Sequence, residues 1–357
     1  MKVLFQCREN LFTLSGGDKI QIENTKRELE QLGVEVQIGT NSKPELSKID
    51  IFHLFNPSLL ALEPVIQAKQ RKIPIVISTI HWDMKEYYQS MFSVNKEYFR
   101  LRPPHYLTNY LMNQLRAIAY NFWWYKKNMK DIQKLFALAN LLLPNSQTEI
   151  NHIKKYFFLP KQSFASVPNG IAINESEISP DTFFKSFGLK DFILCAGRIE
   201  YRKNQHLLLK ALLDTDLPLV FIGNNQFNTG YTSLCQALAK KRGNVYFIPH
   251  LKQPELYSAY LNARVHALVS WYETPGLANL EAAYLGCNLA VSDKGCTKEY
   301  FGDLAEYCDP KNLASIKTAV MTAWNKPKNP GLREYIQEHY TWKQAAQATY
   351  QAYLSIL

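Results

Sequence analysis

What most constrains this chain is a pattern running through its whole length: short runs of β-branched and apolar residues, each separated from the next by a stretch of helical period. Strands of a parallel sheet are buried on both faces and read as continuous apolar runs, and they are joined by helical crossovers, so this alternation predicts an α/β chain with parallel sheets. In the first half, strands are expected near Val3–Cys7, Val34–Ile38, Ile51–Phe55, Ile75–Thr79 and Leu141–Pro144, with helices beginning near Asp18, Pro57 and Ser146. At Val167-Pro168-Asn169-Gly170-Ile171 the period stops in turn chemistry, and a polar stretch follows to Ser179-Pro180. It restarts with Phe192–Ala196, Leu219–Ile222, Val245–Ile248, Val265–Val269 and Leu289–Ser292. Two α/β domains with parallel sheets are therefore expected, 1–168 and 169–340, followed by a helix in 341–357 able to pack back on the first. A length of 357 residues suits two domains of the usual size, about 150 residues each.

Composition narrows the class further. No run approaches the ~18 uninterrupted apolar residues of a membrane span, and Met1–Phe5 leads directly into Gln6, Arg8 and Glu9, so a cytoplasmic protein without a signal peptide is expected. Six cysteines lie far apart with no C-x-x-C pair, which fits buried, reduced thiols better than zinc. Of the net charge of +10, residues 1–168 carry +8. Residues 84–134 alone carry +6 together with twelve aromatic residues. Rings interleaved with Lys and Arg suit the interface of an anionic membrane, and an aromatic helical core with a solvated basic rim accounts for the same composition. A nucleic-acid-binding protein is the rival from another class, but no recognition module is present.

Three loops are candidates for chemistry, because ligands of doubly wound sheets collect where strands end and helix N-termini begin. Ser15-Gly16-Gly17-Asp18 follows the first strand and lets backbone approach a ligand; a plain helix-entry turn reads the same way. Gly197-Arg198-Ile199-Glu200-Tyr201-Arg202-Lys203-Asn204 places Arg198 and Lys203 at a helix start, where a fork and a point charge suit a diphosphate, although a solvated basic loop would look alike. In Trp271–Gly286, Glu273 falls in a loop and Glu281 one turn inside a helix, with the N–H groups of Gly276, Leu277 and Ala278 between them forming an anion-accepting helix end.

The ordered set Gly197-Arg198, Lys203-Asn204 and Glu273-x7-Glu281-Ala282 with Gly286 resembles the retaining, nucleotide-sugar-dependent glycosyltransferases of family 4, which have the GT-B fold of two facing Rossmann-like domains and an interdomain cleft. Gly16-Gly17, Asp50–His53, His81 and Pro168-Asn169-Gly170 extend the resemblance over nearly the whole chain. It implies that Arg198 and Lys203 hold the donor diphosphate, that Glu281 takes the ribose hydroxyls, and that Glu273 lies beside the transferred sugar. It further implies that Gly16 and Gly17 face them, that His81 sits near the sugar, and that Gly223, Asn224, His250 and Leu251 lie near the base. A satisfied strand-end histidine is the alternative for His81. Pro275 stands where many members carry Phe, and Asp18 lies near where a Glu is common; the first leaves the donor-sugar contact open.

Asp214-Thr215-Asp216 resembles a metal-binding D-x-D pair but falls on the edge opposite the strands' carboxyl ends, where a surface turn is expected. The resemblance thus implies metal-independent transfer without a cofactor. The implied reaction is hexosyl transfer with retention from a nucleotide sugar to an oligosaccharide or lipid-linked acceptor of the cell envelope. The first domain would hold the acceptor through Tyr87, Tyr88, Phe92, Tyr98, Phe99 and Tyr120–Lys127, on the inner face of the membrane. A soluble acceptor or a nucleotide-sugar epimerase would share the motifs.

Overall fold

The structure, a computed structural model, describes residues 1–13, 16–57, 62–82, 86–87, 127–224 and 229–357. Among these, residues within Met1–Trp82, Arg102–Gly170 and Thr341–Leu357 form one compact unit, and residues within Asp83–Leu101 and Ile171–Tyr340 form a second.

The first unit is built on a six-stranded parallel sheet of β1 (Lys2–Gln6), β2 (Glu35–Gly39), β3 (Ile51–Phe55), β4 (Ile75–Ser78), β5 (Leu141–Leu143) and β6 (Ser163–Phe164), in the order β2-β1-β3-β4-β5-β6. Every residue of β3, β4 and β5 is buried, as strands covered by helices on both faces must be. The Gln147–Tyr156 helix starts where Ser146 accepts the Glu149 N–H at 2.9 Å. Glu149 itself is fully buried, and its carboxylate collects Thr79 Oγ1–H and the backbone N–H groups of His81 and Asn145, tying the loops after β4 and β5 together. The last helix, Trp342–Leu354, packs on the Gly17–Gln31 helix of this unit. Its Tyr353 hydroxyl reaches Nδ1 of buried His53 at 2.6 Å, while His53 Nε2 meets Ser78 Oγ at 2.9 Å. Burial pushes His53 down to about 3, so this network is neutral.

The second unit carries another six-stranded parallel sheet: β7 (Phe192–Ala196), β8 (Leu219–Ile222), β9 (Val245–Ile248), β10 (Ala263–Leu268), β11 (Asn288–Ser292) and β12 (Glu306–Cys308), ordered β12-β11-β10-β7-β8-β9. β7, β8 and β11 are buried throughout, and their side chains with those of the Gln205–Ala211 and Leu313–Asn325 helices make one apolar core. All six cysteines are free and buried.

The chain passes from the first unit to the second between Gly170 and Ile171, and returns between Tyr340 and Thr341. A Cβ on Gly170 would lie 2.2 Å from the Thr341 carbonyl carbon, so the close approach requires glycine. The aromatic and basic segment is largely outside the described residues: Tyr88, Phe92, Tyr98, Phe99 and Tyr120–Lys126 all lie there. Tyr87 corrects its assignment to a first-domain acceptor surface. It packs against the core of the second unit, where neighbouring Glu86 pairs with Lys311 at 2.9 Å. Among the described residues no helix is long and apolar enough to cross a membrane.

Candidate active site

In the second sheet β7 lies between β8 and β10, so successive crossovers leave β7 in one direction and β10 in the other. At such a switch point the loops at the carboxyl ends diverge and leave a crevice. Glycines let the loops approach here: Gly223, at φ +154°, would put a Cβ 2.2 Å from the Gly197 carbonyl oxygen, and Gly197 itself is at φ +144° with Lys203 Cε passing 3.7 Å from the place of its missing Cβ. Beyond Gly197 a 3-10 turn, Tyr201–Lys203, ends at Asn204, which is left-handed (φ +61°) and fully buried. Asn204 Nδ2 donates to the carbonyls of Val269 (3.0 Å) and Pro310 (2.9 Å), and the Trp271 N–H donates to the Arg202 carbonyl (2.9 Å), so the loops after β7 and β10 are fixed to each other.

At their junction sits Glu273, 4% exposed. Its Oε1 accepts from Lys203 Nζ at 2.5 Å and from Arg202 Nη1 at 3.1 Å. Burial by itself would raise this carboxyl, but Lys203 and Arg202 outweigh it and hold it down to about 2. Lys203 moves down from the ordinary lysine range, because burial and Arg202 together exceed the attraction of Glu273. The backbone of Glu273 is pinned as well: it bridges to Gly295, and its carbonyl accepts the Cys296 N–H at 3.1 Å.

Three residues on, Gly276 at φ +86° opens the Leu277–Tyr284 helix, and the place of its missing Cβ is 3.1 Å from Glu273 Oε2. The first N–H groups of this helix have no intrahelical acceptor and point toward its N-terminus, a natural seat for an anion. Asn279 braces the turn, donating to the Pro275 carbonyl at 2.8 Å while its Oδ1 meets Nε2 of buried His266 at 3.1 Å. Glu281, one turn inside, has no cation among the described residues; the Tyr260 hydroxyl is 3.5 Å from its Oε2, and burial pushes its carboxyl up to about 7 despite the tyrosines Tyr260 and Tyr257.

The structure thus gathers Glu273, Lys203, Gly197, Gly223, Gly276, Leu277 and Ala278 at one end of the second sheet, with Glu281 on the adjoining helix. Arg198 differs from its expected convergence with Lys203. Its side chain is 43% exposed and lies 3.4 Å from Glu200, leaving Arg202 as the cation that meets Lys203 over Glu273. The Asn224 carbonyl accepts the Ile199 N–H, while His250 and Leu251 follow β9 just before the Gln253–Asn262 helix. Gly16 and Gly17 belong to the first unit, as N-cap and first residue of the Gly17–Gln31 helix, beside an Arg8–Asp18 ion pair at 2.5 Å. His81, also in the first unit, is 7% exposed with its ring edge-on to Phe157 at 4.8 Å, the setting of a packed strand-end histidine. Asp214 is an exposed partner of Lys317 at 2.5 Å. Arg202 was not among the residues expected in the site.

Comparison with known proteins bears on this geometry. Residues 181–341 match the family model described as glycosyl transferases group 1. The N-acetylgalactosamine-N,N'-diacetylbacillosaminyl-diphospho-undecaprenol 4-alpha-N-acetylgalactosaminyltransferase of Campylobacter jejuni is 29% identical over 178 residues, 48% of this chain and 47% of that protein. The chain spans about half the length of the curated relatives it matches. Among solved structures, sucrose-phosphate synthase from Thermosynechococcus elongatus superposes with a TM-score of 0.74 at 13% identity, over 99% of this chain and 98% of that one. Anabaena HepE in complex with UDP and glucose superposes with a TM-score of 0.69 at 15% identity, over the whole of both chains. These likenesses establish the GT-B fold.

Proposed function

We propose, from the match of residues 181–341 to the group 1 glycosyl transferases, that this protein moves a hexose-type sugar from a nucleotide-diphosphate donor to a hydroxyl of a saccharide acceptor, with retention of configuration. One observation carries the reading: a buried carboxylate, Glu273, is clasped by Lys203 and Arg202 where two strands diverge, beside the open end of a helix. Lys203 holds Glu273 through a single nitrogen, so a diphosphate oxygen can take it over, while the N–H groups of Gly276, Leu277 and Ala278 receive the same anion. Arg198, half-exposed nearby, closes on the diphosphate from the solvent side. Glu281 accepts the ribose hydroxyls, and Asn224, His250 and Leu251 flank the base.

In the reaction the bond from the sugar's anomeric carbon to the diphosphate oxygen breaks and its electron pair stays on the phosphate. The acceptor oxygen bonds to the same face of that carbon, and its proton passes to the departing phosphate. Charge grows on the diphosphate and is met by Lys203, Arg198 and the helix end, fixed beforehand and partly shielded from water, in the role a divalent metal would otherwise fill. Glu273, kept ionised, faces the positive charge that develops on the sugar.

For the acceptor, the diphospho-undecaprenol in the name of the Campylobacter relative supports a lipid-linked saccharide, and a role in cell-envelope synthesis is part of the same proposal. The +8 carried by residues 1–168 supports attachment of a cytoplasmic protein to the inner face of an anionic membrane. A melting-temperature screen against UDP-, GDP- and ADP-sugars tests the donor, because a ligand bound only by the folded state raises that temperature. One nucleotide class should raise it, and Lys203→Ala should abolish the rise and cut turnover by ~100-fold. No rise with any donor, or a Lys203→Ala variant with unchanged binding and turnover, would overturn the reading.

A further inference from the structure

The two cations on Glu273 are held in different ways. The Lys203 ammonium has Glu273 as its sole hydrogen-bonding partner among the described residues. Arg202 is anchored on every side: Nη1 donates to Glu273 Oε1 (3.1 Å) and to the Tyr272 carbonyl (3.3 Å), Nη2 donates to Glu200 Oε1 (3.0 Å), and the guanidinium lies 5.3 Å from the centre of the Tyr272 ring. Its backbone carbonyl also takes the Trp271 N–H. Lys203 is thus held at one point and Arg202 at several.

Building on the donor reading above, we infer that Arg202 is a positioning residue, which keeps Glu273 in place and ionised once the donor diphosphate has drawn Lys203 away. A carboxylate this buried, left without any cation, would either take up a proton or abandon its position, since an unpaired buried charge is costly. Arg202 prevents both, because its planar fork can serve Glu200 and Glu273 together and stays protonated at any working pH. The other titratable groups around Glu273 do not substitute for it. Glu200 is a like charge on the same turn; His266 on β10 is neutral, with burial pushing it down to about 3; Cys195 on β7 is pushed up to about 12; burial pushes Tyr272 up, so it stays uncharged.

The test is a carboxyl titration of Glu273 by carbon-13 NMR in the full chain labelled at glutamate Cδ, with the signal assigned through Glu273→Gln. UDP, GDP and ADP are each added, and binding is followed separately by the phosphorus-31 shift of the nucleotide. In the unaltered protein Glu273 should remain ionised at pH 4 with and without nucleotide. In Arg202→Gln with nucleotide bound, its titration should rise by about one pH unit or more, and in Arg202→Lys, which keeps a charge but loses the fork, by a smaller amount. Arg202→Lys decides the matter if Arg202→Gln does not fold. Nucleotide bound with the Glu273 titration unmoved in the variants that fold overturns the inference and leaves the donor reading standing. No phosphorus shift with any nucleotide in the unaltered protein overturns both.

Discussion

At the scale of single residues, the two carboxylates of the site are opposites, and pH separates them. Glu273 has its folded-state value lowered from 4.5 to about 2, so it contributes stability that is present above 4.5 and lost as pH falls toward 2. Glu273→Gln should therefore flatten the dependence of urea-unfolding stability on pH between 5 and 3, and an unchanged slope would show that the clasp contributes nothing. Glu281 is raised to about 7, so in the free protein it is half protonated near neutrality. If ribose hydroxyls donate to its ionised form, nucleotide binding expels a proton and affinity weakens as pH falls below 7, by about tenfold between pH 8 and 6. Calorimetric titration of the unaltered protein and Glu281→Gln should show that difference in the former alone, which separates it from titration of the nucleotide's own phosphate. Sequence spacing pointed to Glu273, Lys203 and Glu281, because a carboxylate in an apolar helix flank and a lysine after a strand are chemically conspicuous. It could not rank three cations within six residues. Only the 3-10 turn, which folds Arg202 and Lys203 inward and leaves Arg198 43% exposed, distinguishes them.

At the scale of elements, the loops owe their shape to close backbone contacts that no side chain tolerates. Gly223→Ala would drive a Cβ to within 2.2 Å of the Gly197 oxygen at a backbone angle that L residues rarely adopt. The expected loss is about 2–4 kcal/mol, read as a lowered urea midpoint, with donor binding impaired further because the Gly197–Arg198 segment must shift. A variant as stable as the parent would mean that the two loops are not packed as described. The strands themselves were legible where they are long and apolar: β3, β7, β8 and β9 run over the residues their composition indicates. β6, with two residues, and β12, with three, are edge strands too short for any periodicity, and pairing with a neighbour alone defines them.

At the scale of the molecule, the final helix is sequence-distant yet structurally part of the first unit, fastened by the Tyr353–His53–Ser78 chain. Tyr353→Phe strands a buried ring nitrogen and should cost about 1–3 kcal/mol of stability in urea unfolding; no change would mean that packing alone secures the helix. The central claim concerns the second unit: a nucleotide diphosphate occupies the carboxyl end of its sheet at the β7–β10 switch point. A structure of the protein with whichever nucleotide most raises its melting temperature tests this most directly. The account predicts diphosphate oxygens within hydrogen-bonding distance of Lys203 Nζ and of the N–H groups of residues 276–278, with Arg202 still on Glu273. A diphosphate bound elsewhere, with Lys203 still closed on Glu273, would contradict it.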